Sequence, residues 1–135
     1  MDYISDINNP KPEEILNLLA YVKEMVKNDN FTVLPRPKNI SFFDDYMLNP
    51  DIFVPEVVMN LSISDFCECE PSDKQDQPGL VYIFSITREL TDFEDYTELV
   101  EIYIKFSCED EEAVIFISFH AAEHDMYTYQ WSNQL

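Results

Sequence analysis

Three stretches in the second half of the chain decide the fold: LVYIFSITREL at residues 80–90, LVEIYIKFSC at 99–108 and AVIFISFH at 113–120. Each is apolar or alternates apolar and polar residues, and acidic segments without a helical pattern separate them. Alternation with a period of two is typical of strands that bury one face. The sequence therefore predicts an antiparallel meander.

The first half of the chain opens with a helical pattern. Pro12 and Glu13 suit the first turn of a helix, and residues 28–30 end it. Apolar residues recur between them at helical spacing, at Ile15, Leu18, Leu19, Val22, Met25 and Val26. Residues 31–50 read as irregular, with room for a short strand at 31–34, and residues 52–61 allow either a short second helix or a strand.

These elements predict one α+β domain over residues 1–135. Its N-terminal helix, and the short second helix if it forms, should pack on one face of a three- to four-stranded antiparallel sheet. Within that sheet Val81, Ile83 and Ser85 should share one face, and Tyr82, Phe84 and Ile86 the other.

Charge limits the partners of this chain. The 27 Asp and Glu residues outnumber the 8 Lys and Arg residues, which leaves a net charge of −19. Such a surface repels phosphate backbones and attracts basic proteins, so nucleic acid is a disfavoured partner. Two acidic runs are candidate partner-binding surfaces, although solvated loops would look the same: Asp92, Glu94, Asp95 and Glu98 in the first, and Glu109, Asp110, Glu111 and Glu112 in the second.

Several classes of protein are disfavoured by what the sequence lacks. No apolar stretch approaches the roughly 20 residues that span a bilayer, and no secretory signal is evident, so we expect a cytoplasmic protein. Cys67, Cys69 and Cys108 are expected to be free thiols. The segment from His120 to His124 matches the H-x-x-E-H zinc pattern, but it closes a strand, so no metal site and no cofactor are predicted.

One cluster could support catalysis. Tyr103, Lys105, Ser118 and His120 would lie together on the open face of the sheet if the strand register permits. Tyrosine, lysine and histidine can move protons and stabilise a phosphorane, as metal-free RNA cleavage requires. The competing interpretation is structural, with half-buried sheet residues and Lys105 paired to Glu101.

Five short motifs occur in order along the chain: FTVLPRPKNI at 31–40, LSISDF at 61–66, PGLVYIF at 78–84, EIYIK at 101–105 and ISFHAAE at 117–123. In their order and spacing they resemble the motility quorum-sensing regulator (MqsR) toxin family, over about residues 14–131. The resemblance implies a RelE-like fold and an mRNA-cleaving toxin that a partner antitoxin neutralises.

The resemblance transfers only part of the family's site. It assigns the family's sheet tyrosine to Tyr103 and the lysine of the same strand to Lys105, while His120 replaces a lysine of the last strand. Another lysine of the family falls on Glu68, and a catalytic glutamine has no counterpart near residues 81–83.

Two hypotheses follow. The first is an acidic antitoxin-like or immunity-like factor that masks a basic, nucleic-acid-acting protein. The second is an MqsR-type endoribonuclease that uses Tyr103, Lys105 and His120 and has an antitoxin as its partner. Because a scaffold can lose its chemistry and keep its interface, the fold alone does not choose between them.

Overall fold

The computed structural model describes residues 3–72 and 79–131, and Pro78 of the third motif lies outside them. The helices in this part of the chain are α1 (Pro12–Lys27), α2 (Pro37–Asp45), α3 (Pro50–Met59) and a one-turn 3-10 helix (Ile63–Asp65). The strands are β1 (Phe31–Val33), β2 (Phe66–Pro71), β3 (Leu80–Thr91), β4 (Thr97–Ser107) and β5 (Val114–Ala121). None of these helices is long and apolar enough to cross a membrane.

The five strands form one mixed sheet in the order β1-β5-β4-β3-β2. The α+β class and the antiparallel meander β3-β4-β5 are confirmed, but the prediction of three to four antiparallel strands is wrong. β1 pairs in parallel with β5, and β2 adds an antiparallel strand beside β3. Both are edge strands and short, so neither carries the long alternation that revealed the central three.

The helices follow the sequence pattern in part. α1 is confirmed, and α3 occupies the segment for which a strand was the alternative. The prediction that residues 31–50 are irregular is wrong, because α2 begins at Pro37 directly after Arg36. A proline at the first helical position costs no hydrogen bond, and the helix then buries Asn39, Phe42 and Phe43.

The core lies between the helices and one face of the sheet. Phe84 and Phe106 stack with ring centroids 5.6 Å apart, and Phe116 lies 5.7 Å from Phe106. Phe43 of α2 stacks on Phe119 of β5 at 5.7 Å. All of these rings are buried, so burial of the even-numbered face of β3 and β4 fixes the orientation of the sheet.

Asn39 joins α2 to the edge of the sheet. Its side-chain Nδ2 donates to the carbonyl oxygens of Leu34 at 2.9 Å and Ile117 at 3.0 Å, and its Oδ1 accepts from the Phe119 amide at 2.8 Å. The side chain is 2% exposed. It therefore satisfies three backbone groups where the register between β4 and β5 shifts, and it holds α2 against β5.

Candidate functional site

The face of the sheet opposite the helices, called here the open face, carries the predicted cluster. Tyr103 of β4 lies directly opposite His120 of β5, and Lys105 lies opposite Ser118. The register therefore brings all four together, and it does so through the register shift that follows Phe116, which turns Ser118 and His120 away from the core face. Ser85 of β3, which is buried, lies on the other side of Tyr103.

His120 is oriented by its own strand. Its Nδ1 lies 2.9 Å from the carbonyl oxygen of Ala121, and a carbonyl can only accept, so Nδ1 carries the proton. In the neutral ring Nε2 is then the acceptor, which is the arrangement a general base needs. The ring centroids of His120 and Tyr103 are 5.5 Å apart, so both side chains could face one bound group.

Lys105 forms an ion pair with one glutamate of β2 and lies near a second. Its Nζ lies 3.4 Å from Glu70, while Glu68 lies directly opposite Ile83, the neighbour of Lys105 on β3. Burial, followed by the proximity of Glu70 and a hydrogen bond between the two carboxyl groups, raises the pKa of Glu68 above its usual range. The expected pair of Lys105 with Glu101 is not found; Glu101 instead accepts from the Met126 amide.

The same carboxylates disfavour ionisation of Tyr103. Burial is the largest cause that raises the pKa of this phenol, followed by Glu70 and Glu68, and Arg36 opposes them. Tyr103 therefore stays protonated at neutral pH and can donate or orient. Sequence reasoning missed Glu70, although the alternation Cys67-Glu68-Cys69-Glu70 places both glutamates on one face of a strand.

The other basic side chains near the open face, Lys38 and Arg36, also contact acceptor groups of the protein. Lys38 of α2 forms an ion pair with Glu123 at 2.6 Å, and Arg36 Nη1 lies 3.5 Å from the carbonyl oxygen of Ile117. An open groove of about 350 Å³ between α2 and the end of β5 contains the Lys38–Glu123 pair and also Asp45 and His120. Its mixed charges provide little attraction for a phosphate backbone.

The cysteines and the H-x-x-E-H segment provide no further chemistry. Cys67, Cys69 and Cys108 are buried and form no disulfide within the described residues. Burial and then Glu68 and Glu101 raise the pKa of Cys67 to about 12, so its thiol is a poor nucleophile at neutral pH. His120 belongs to β5 and His124 follows the strand, and the described residues contain no group of three side chains placed to hold a metal.

The first acidic run forms the turn between β3 and β4, called here the hairpin tip and comprising residues 91–99. The Asp92 carboxylate accepts from the amides of Glu94 at 2.8 Å and Tyr96 at 3.0 Å. Asp95 adopts a left-handed conformation with φ 63°, which aspartate tolerates better than most residues. Asp92 therefore builds the turn, while Glu94 and Asp95 are left on its surface.

Apolar side chains are exposed among these acids. Phe93 is 65% exposed, Tyr96 60% and Leu99 74%. Residues 89–104 contain no Lys or Arg at all, so the hairpin tip combines unopposed negative charge with large apolar groups. Aromatic anchors beside charged groups are typical of the centres of protein interfaces.

The second acidic run lies at the other end of β4. It forms the loop between β4 and β5, where Glu109 contacts Gly79 and Asp110 accepts from the Glu112 amide at 2.7 Å. The 11 residues of β4 separate this loop from the hairpin tip by about 35 Å at the usual rise per residue. The eight predicted partner-binding acids therefore form two separate surfaces, and only the hairpin tip has this exposed apolar cluster.

Tyr46 links the hairpin tip to α2. Its hydroxyl donates to Glu98 at 3.0 Å, and burial followed by this hydrogen bond raises the pKa of Tyr46 to about 12. The Glu98 carboxylate is therefore already hydrogen-bonded to Tyr46 within the fold. Glu94 and Asp95 are then the acids of the hairpin tip that are most available to a partner.

The Tyr46–Glu98 link should weaken at alkaline pH. The folded pKa of Tyr46 is above its ordinary value of 10, so the stabilisation is complete below pH 10 and is lost as pH rises toward 12. We expect Tyr46→Phe to lower the free energy of unfolding by about 1 kcal/mol at pH 8. Urea unfolding of both chains at several pH values should show this difference shrinking above pH 10. A difference that is constant with pH would contradict the assignment.

Comparison of this chain with protein-family models, with curated proteins and with solved structures finds no match in any of the three.

Proposed function

We propose that this protein is an acidic binding factor of the toxin–antitoxin or toxin–immunity type, built on an MqsR/RelE-like scaffold. It neutralises a basic, nucleic-acid-acting protein in the cytoplasm by binding it, without a cofactor. The hairpin tip is the observation that carries the proposal, because Phe93 and Tyr96 are exposed there beside Glu94 and Asp95.

Each property of the hairpin tip suits such a partner. A net charge of −19 accelerates encounter with a basic protein through long-range attraction. The hydrogen bonds of Asp92 and the Tyr46–Glu98 link hold the turn in place before binding, which lowers the entropy lost in the complex. The exposed aromatic rings then supply the apolar contact area that gives a complex its lifetime.

The partner can be captured with the full chain as bait. An immobilised chain, incubated with lysate of the source organism, should retain a protein with a pI above about 9 that elutes as salt is raised. A chain carrying Phe93→Ser and Tyr96→Ser should retain much less of it. Capture that is equally strong on the altered bait would contradict the proposal that the hairpin tip is the interface.

An MqsR-type endoribonuclease is the second candidate. It is favoured by the adjacency of Tyr103 and His120 and by the tautomer of His120, which makes Nε2 an acceptor. It is disfavoured by the ion pair between Lys105 and Glu70, which removes the cation that a cleavage transition state would need.

Growth after induction of the gene alone separates the two functions. We expect the wild-type chain to leave bacterial growth unchanged, because the ammonium group of Lys105 on the open face is paired with Glu70. The endoribonuclease would instead arrest growth, and His120→Ala and Tyr103→Phe would each relieve the arrest. Arrest that depends on these two side chains would overturn the binding proposal in favour of the enzyme.

A further inference from the structure

The edge of the sheet formed by β1 has unpaired backbone groups. The Leu34 amide donates to Phe116 and the Asn30 carbonyl accepts from Val114, so the even-numbered residues of this segment face β5. In a parallel ladder the intervening residues then direct their N–H and C=O groups away from β5. On that side Phe31 and Val33 have no hydrogen-bond partner within residues 3–72 and 79–131.

An apolar groove runs beside this edge. It has a volume of about 360 Å³ and lies between β1 and the segment from α2 to the start of α3. Ile40 and Leu48 are among its apolar walls, and Ile40 is 48% exposed although it lies on a helix that packs against the sheet. A strand added to β1 would therefore find pockets for alternate side chains as well as backbone partners.

Charge identifies the occupant. The groove is lined by two acids, Asp44 and Asp51, and by no Lys or Arg. A second copy of this chain would bring a net charge of −19 against the same charge, which disfavours self-association through this edge. An extended segment that carries Lys or Arg together with apolar residues meets both the backbone and the electrostatic requirements.

We propose that β1 accepts an extended basic peptide segment of another protein as a sixth strand of the sheet. The peptide pairs with the outward amide and carbonyl groups of Phe31 and Val33 and places alternate apolar side chains against Ile40 and Leu48. Its basic residues lie near Asp44 and Asp51. This surface is separate from the hairpin tip, so the inference holds whether or not the hairpin tip binds a partner.

The test selects a displayed library of random nonapeptides on the full chain and measures the affinity of the enriched sequences for variants. Val33→Pro removes the outward N–H and places a ring at that edge, which an edge strand tolerates without losing its bonds to β5. Ile40→Lys repels a basic peptide from the groove. Each change should weaken binding at least tenfold. Leu16→Lys, which alters an exposed leucine of α1 in the same way, should have no effect.

Two results would overturn the proposal. One is that no enriched peptide binds Val33→Pro and Ile40→Lys more weakly than it binds Leu16→Lys. The other is a concentration-dependent dimer, detected by sedimentation, that Ile40→Lys abolishes, because it would assign the edge to a second copy. N-methylation of alternate peptide amides gives a further check, since a strand that pairs with β1 must lose affinity for one of the two methylation patterns.

Discussion

Replacing Asn39 with leucine is expected to lower the free energy of unfolding by about 3–5 kcal/mol. The change keeps the branching and the number of side-chain heavy atoms, but it leaves the Phe119 amide and the carbonyl oxygens of Leu34 and Ile117 buried without their hydrogen-bond partner. Each orphaned group costs about 1–3 kcal/mol, reduced where water can enter. Chemical unfolding at pH 7 measures the loss, and faster hydrogen exchange of the Phe119 amide should accompany it.

Asn60→Leu is the matched control for this prediction. Asn60 is exposed at the end of α3, and its side chain makes one hydrogen bond, to the carbonyl oxygen of Glu56 at 2.8 Å. We expect Asn60→Leu to lower the free energy of unfolding by less than about 1 kcal/mol. Equal losses for the two variants would show that Asn39 does not hold α2 on the sheet in the way described.

Replacing both Phe93 and Tyr96 with serine should weaken binding of the captured basic partner at least about 100-fold. The rings are 65% and 60% exposed, so their loss should leave the fold intact while it removes two aromatic anchors. Truncation of such an anchor costs about 2 kcal/mol or more at an interface, and each 1.4 kcal/mol is a factor of ten in affinity. Titration calorimetry with the purified partner measures the effect.

Tyr127→Ser gives the control for an exposed tyrosine outside the hairpin tip. Its side chain is 79% exposed on the segment that follows β5. We expect its affinity for the partner to match that of the wild type. A loss as large as that of the double variant would move the interface away from the hairpin tip.

The sequence predicts the centre of this fold better than its edges. Alternation over long runs reveals β3, β4 and β5, but it does not place His120. A period of two would put His120 on the face of the buried Val114 and Phe116, and the register shift between β4 and β5 places it beside Tyr103 instead. β1 has three residues, and its parallel partner β5 follows some eighty residues later, so no local pattern reveals the pairing. The sequence does not predict α2, because Pro35 and Pro37 are typical of irregular segments. Pro37 is nevertheless the first residue of the helix.

The candidate site shows the same division. The net charge and the acidic runs are visible in the sequence, but their separation to opposite ends of β4 depends on the completed sheet. The pairing of Lys105 with Glu70 joins β4 to β2, two strands away in the sheet, and only the observed strand order brings them together. The role of Asp92 as a turn residue likewise requires the backbone conformation of the hairpin tip.

The most direct test of the proposed function compares the affinity of the captured partner for two charge variants. Glu94→Lys with Asp95→Asn changes the hairpin tip by +3 and keeps a residue that tolerates φ 63° at position 95, whereas Glu111→Lys with Glu112→Gln makes the same change at the opposite end of β4. We predict at least tenfold weaker binding for the first pair, with a smaller salt dependence, and near wild-type binding for the second. Equal affinity of the two variants would contradict the claim that the hairpin tip is the interface.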